Sequence, residues 1–82
     1  MTIEDRAASR VLAARLEEQG MSKAELARRS GISTRTIFYY LQGERAMTLG
    51  TFRALHEILG LTRKEASDRV GRELVALEDT EE

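Results

Sequence analysis

A chain of 82 residues with 41% hydrophobic content, no cysteine and no proline admits one small domain and excludes disulfides and thiolate metal sites. No run of 18 apolar residues occurs, which excludes a membrane-spanning helix, and the opening Met-Thr-Ile-Glu-Asp-Arg lacks the apolar core of a signal peptide. The net charge of −1 hides a polarity: residues 22–53 carry six bases against two acids (+4), residues 54–82 four against eight (−4), and residues 1–21 three against four (−1).

Ala, Leu, Arg and Glu dominate, and strand-favouring clusters are scarce, so the expected fold is all-α. Ile3, Ala7, Val11, Ala14 and Leu16 recur at a period near 3.6 and predict a helix over residues 3–19, closed by a left-handed cap at Gly20. Ser22-Lys23-Ala24-Glu25 reads as a capping box opening a second helix over about residues 22–29, with Leu26 and Ala27 inward. Ser30-Gly31-Ile32 is a short turn, and Ser33 caps a third helix over residues 34–42 that Gly43 ends.

Thr48 caps a fourth helix through Leu59, with Leu49, Phe52, Leu55, Ile58 and Leu59 as its inward face and Gly60 as its stop. Thr62-Arg63-Lys64-Glu65 is a second capping box, opening a fifth helix to about Leu77. Glu78-Asp79-Thr80-Glu81-Glu82 reads as a frayed acidic tail. The expected organisation is one domain over residues 1–77 and a tail over 78–82.

Two helices of eight to ten residues joined by a glycine turn form a helix-turn-helix pattern, here over residues 22–42. The run Gly20-Met21-Ser22-Lys23-Ala24-Glu25-Leu26-Ala27, then Ser30-Gly31-Ile32-Ser33, Thr36-Ile37 and Gly43 resembles the lambda-repressor/Cro-type (XRE-like) family. The later Leu49, Leu55 and Ile58-Leu59-Gly60-Leu61 resemble its fourth helix, so the likeness spans roughly residues 10–61. It implies a compact five-helix lambda-repressor-like DNA-binding domain. Many relatives carry arginine at the position of Leu16 and glutamate at that of Leu41, a buried pair joining helices 1 and 3. Leucine at both implies that the two positions touch, since an apolar pair replaces a buried ion pair at little cost.

On the third helix Ile37, Tyr40 and Leu41 share one face and form the expected anchor to the core. Thr34, Arg35, Phe38 and Tyr39 point elsewhere and are the candidate base-reading residues, Thr34, Arg35 and Tyr39 by resemblance to the family's base-contacting positions. The Arg35 guanidinium can bond guanine O6 and N7 together, and Phe38 offers an apolar contact at the groove wall. Ser22 and Lys23 lie at a helix N-terminus, where free amides and the dipole favour a phosphate. Arg45 and Thr48 resemble the family's second phosphate clamp, and Ser33, Thr36 and Gln42 join the phosphate-facing set.

Arg28 and Arg29 read as ordinary surface bases and stay outside the site, and His56 has no companion that suggests a metal. Ala66, Val70, Leu74 and Leu77 form an apolar stripe on the fifth helix, making residues 62–77 a candidate dimerisation helix. The expected activity is sequence-specific binding of double-stranded DNA by a homodimer on paired half-sites, as a Cro-like or repressor-type regulator of a phage, prophage or bacterial operon. The competing expectation is a protein-interaction module such as the antitoxin of a toxin–antitoxin pair. One histidine, no cysteine, no phosphate loop and no clustered carboxylates leave no enzymatic expectation, no cofactor, no metal and no small-molecule ligand. The expected location is cytoplasmic and nucleoid-associated, without a membrane.

Overall fold

The computed structural model describes residues 1–80, which form five helices: α1 Ile3–Glu18, α2 Lys23–Ser30, α3 Thr34–Gln42, α4 Leu49–Ile58 and α5 Arg63–Thr80. Each start is fixed by a side chain that supplies an acceptor to orphan first-turn amides. Ser22, Ser33 and Thr48 accept from the amides three residues on at 3.0, 3.1 and 3.1 Å. A capping box that the hydrophobic pattern does not reveal opens α1: Asp5 N donates to Thr2 Oγ1, and Thr2 N to Asp5 Oδ2. The Thr62/Glu65 box at α5 also closes in both directions.

The Ser22/Glu25 box closes in one direction only. The Glu25 carboxylate instead takes Arg28 and Arg29, three and four residues further along α2. These charge-assisted bonds hold the Glu25 carboxyl at about 2, well below its ordinary 4.5, with Arg28 the larger cause.

Gly31, at φ +75, turns the chain from α2 towards α3, a conformation that a side chain at this position would oppose.

The core gathers Leu12 and Leu16 of α1, Leu26 and Ala27 of α2, Ile37 and Leu41 of α3, and Leu55 and Leu59 from the α4 segment. Leu16 and Leu41 are both buried in this cluster and border the same notch, which fits the leucine-for-ion-pair expectation. Two expected core positions differ, Ala14 and Leu49. Ala14 is exposed, and Ser9 and Leu12 are buried in its stead, because the stripe on α1 must face α3, α4 and α5 at once. Leu49, expected inward, is 87% exposed at the first position of α4. Tyr40, Phe52 and Ile58 are half-buried and pack against the core. His56 is buried: its Nδ1 lies 3.0 Å from the Leu61 carbonyl and its ring meets Phe52 edge-on.

Helix α5 lies along α1. Arg69 grips Glu18 with two bonds of 2.8 and 3.0 Å, and Arg10 pairs with Glu73 at 3.1 Å. Across the bundle, Arg15 Nε donates to the Leu59 carbonyl at 2.8 Å, answering an unpaired acceptor at the end of α4.

This packing changes the dimerisation assignment at Ala66 and Leu77. Ala66 and Leu77 are buried within the chain's own fold, and Val70 and Leu74 are half-buried, so the apolar stripe first serves the monomer. The tail assignment changes as well. Glu78, Asp79 and Thr80 continue α5, where Thr80 Oγ1 donates to the Ala76 carbonyl at 2.8 Å; Glu81 and Glu82 lie outside the described residues. Among the described residues, no helix is long and apolar enough to cross a membrane.

Candidate nucleic-acid interface

Burial of Ile37 and Leu41 fixes the roll of α3 and turns its other side outward. On that side Thr34, Arg35 and Phe38 are exposed and Tyr39 is half-buried, so all four expected base-reading residues reach solvent from one helix. Neither aromatic ring stands alone. Lys23 Nζ lies 5.2 Å above the Phe38 ring, linking the start of α2 to the middle of α3. Tyr39 lies between two guanidiniums, Arg35 at 5.6 Å and Arg45 at 5.2 Å from its centroid.

Arg35 Nε also donates to Tyr39 Oη at 3.1 Å. That bond occupies one edge of the guanidinium and leaves the Nη1/Nη2 end for another partner. The spacing of four residues could have signalled this pair from sequence. The Lys23–Phe38 and Arg45–Tyr39 contacts join different elements, and no local pattern encodes them.

The expected phosphate-facing residues fall into two groups. Ser22, Lys23 and Gln42 border one notch between α1, α2 and the end of α3. Thr36 and Arg45 border another with Arg35, Tyr39 and Glu44, whose carboxylate brings a negative charge to an otherwise basic rim. Ser33 and Thr48 are exposed, but their hydroxyls already serve as caps and donate to Thr36 and Thr51. At those two positions the first-turn amides are the donors left to offer an anion.

Ion pairing sharpens the charge pattern. Glu25 offsets part of the charge of Arg28 and Arg29, and Arg53 pairs with Glu57 at 2.8 Å. Lys23, Arg35 and Arg45 form no ion pair among the described residues, and they are the three bases set against the aromatic rings of α3. No group of three or more metal-ligating side chains occurs among the described residues.

A capped helix, a left-handed glycine turn and a second helix with a basic, aromatic outer face define a helix-turn-helix domain. A helix-turn-helix family model matches residues 12–65, from the middle of α1 into the first turn of α5. The chain belongs to this family, the XRE/lambda-repressor-like helix-turn-helix proteins, a family of DNA-binding transcription regulators that bind double-stranded DNA. Neither the curated proteins nor the solved structures include a match to the chain.

Proposed function

We propose that this protein is a sequence-specific, Cro-like or repressor-type regulator of a phage, prophage or bacterial operon. In this reading α3 enters the major groove as the recognition helix of one half of a homodimer on paired half-sites. The observation that carries it is the convergence of Lys23, Arg35 and Arg45, unpaired by carboxylates, on the exposed aromatic face of α3.

The roles divide by chemistry. Arg35 presents its free end to guanine O6 and N7, and Thr34 meets a base edge or a thymine methyl. Phe38 makes an apolar contact at the groove wall, while Tyr39 borders the groove and steadies Arg35. Ser22, Lys23 and Gln42 hold one phosphate strand, and Arg45, Thr36 and the amides at Ser33 and Thr48 hold another, setting register without reading sequence. The chain's excess acid lies in residues 54–82 rather than in residues 22–53, which leaves the local field at α3 positive despite the net charge of −1.

The test is selection of bound duplexes from a random pool, followed by binding measurements over a salt series. A palindromic motif with half-site centres about 10 bp apart supports the reading. Enrichment of no motif, with binding that is equal on all duplexes, overturns it.

A further inference from the structure

A groove of about 520 Å³, lined by residues of α4 and α5, has the usual size of a small-molecule cleft, about 300–1,000 Å³. Leu49, Phe52, Ala66 and Val70 make its lining largely apolar, and Arg53 and Arg63 add charge. Phe52, Ala66 and Val70 line it without leaving the monomer's own packing, where they meet Val11 and Leu61. Leu49 has no such place: at 87% exposure it borders the groove as open apolar surface.

Two polar groups in this lining have unused capacity. His56 is only 3% exposed, and its Nδ1 lies 3.0 Å from the Leu61 carbonyl. A carbonyl only accepts, so Nδ1 carries the proton and donates, which leaves Nε2 of the neutral ring as an acceptor. Nε2 has no hydrogen-bond partner among the described residues, although the ring lines the groove. A buried acceptor in that state costs free energy until a donor reaches it. Arg63 is exposed and forms no ion pair among the described residues, whereas Arg53 is engaged by Glu57 at 2.8 Å.

We propose that this groove binds a small amphipathic acid, a hydroxylated aromatic carboxylate, as a ligand separate from DNA. Its carboxylate pairs with Arg63, its ring lies against Leu49 and Phe52, and its hydroxyl donates to His56 Nε2. An inorganic anion would leave the apolar lining wet and His56 unanswered. A hydrocarbon would leave both polar groups unanswered, and a flat protein surface would cover Leu49 without entering as far as His56. The parts come from residues 49–56, 63 and 66–70, so no contiguous motif encodes the site, and the sequence expectation of no small-molecule ligand is the one this groove opposes.

The full chain is titrated by calorimetry with para-hydroxyphenylacetate, phenylacetate and the uncharged para-hydroxyphenylethanol, and amide NMR spectra locate the site. The expected result is saturable binding of the hydroxylated acid at one site, with shifts centred on Leu49, Phe52, His56 and Ser67. Removing the hydroxyl weakens binding by about 2- to 12-fold, the worth of one neutral hydrogen bond. Arg63→Gln weakens both acids by about fivefold or more and leaves the alcohol unchanged. Ser67→Trp, at an exposed position of α5 on the groove, abolishes binding of all three while circular dichroism shows the helices intact.

Failure of all three compounds to saturate the chain overturns the proposal. So do shifts confined to α3, equal affinity for the two acids, or an Arg63→Gln loss that is the same for acids and alcohol. DNA takes no part in these measurements, so their failure leaves the proposed regulator untouched, and absence of DNA binding leaves this site untouched.

Discussion

Replacing Arg35 tests the functional reading most directly, and the structure grades the expected effect. With Nε held by Tyr39 Oη at 3.1 Å, the guanidinium offers only its Nη1/Nη2 end to a base. A good bidentate contact to guanine discriminates by about 1–3 kcal/mol, or roughly 5- to 150-fold. Arg35→Ala is therefore expected to cut the preference for the selected site over a single-base mismatch at that position by this factor. Tyr39→Phe keeps the ring between Arg35 and Arg45 but removes one hydrogen bond. A neutral hydrogen bond contributes about 0.5–1.5 kcal/mol net, so the expected loss of preference is about 2- to 12-fold. Competition binding against a panel of single mismatches reads both variants. If Arg35→Ala lowers affinity for every duplex equally, Arg35 holds a phosphate and the base-reading assignment fails. If Tyr39→Phe leaves the mismatch ratio unchanged while Arg35→Ala lowers it, the bond to Tyr39 does not position the arginine.

Three further outcomes follow from other parts of the molecule. Lys23→Ala should weaken binding to all duplexes alike and reduce the slope of log affinity against log salt by about one, as measured in a salt titration. Glu18, gripped by Arg69 and more weakly by Arg15, has its carboxyl lowered from 4.5 to about 2. Because the folded value lies below the unfolded one, its contribution is complete above about pH 4.5 and disappears as pH falls towards 2. The melting curves of wild type and Glu18→Gln should therefore converge near pH 2 and separate above 4.5. Leu41→Glu buries an unpaired charge beside Leu16 and should cost about 3–5 kcal/mol, whereas adding Leu16→Arg should recover most of the lost melting temperature.

The helix boundaries were readable because caps and glycines are local devices: Ser22, Ser33, Thr48 and Thr62 each perform the capping that their position predicts. Thr2/Asp5 has the same signature, placed directly ahead of the apolar stripe that begins at Ile3. Burial was less legible where a residue's fate depends on distant elements. Leu49 fits an inward helical face by period alone, yet at the first position of α4 it is exposed. Ser9 is buried although serine usually stays in water, because α1 turns that position inward against the fold. Glu25 shows a third limit, since a capping box and two arginines compete for one carboxylate and the arginines win.

The site was legible to the same depth. Which side chains of α3 face outward follows from the helical period and two buried anchors, Ile37 and Leu41. What they do to one another does not, because Lys23 and Arg45 reach the rings of Phe38 and Tyr39 from other elements. Those contacts change the physics of the face. A lysine or arginine held over an aromatic ring gives up part of its hydration and rotamer freedom before DNA arrives, so less remains to be lost on docking. The same argument explains why a chain with net charge −1 can carry a DNA-binding face. Glu25 and Glu57 are occupied by arginines on their own helices, and most of the remaining acid lies on α1 and α5. Glu44 is the exception, because it borders the Arg35–Arg45 notch with no ion pair among the described residues. Glu44→Gln should therefore tighten binding to all duplexes and steepen its salt dependence, and an unchanged affinity would mean that this notch does not face a phosphate.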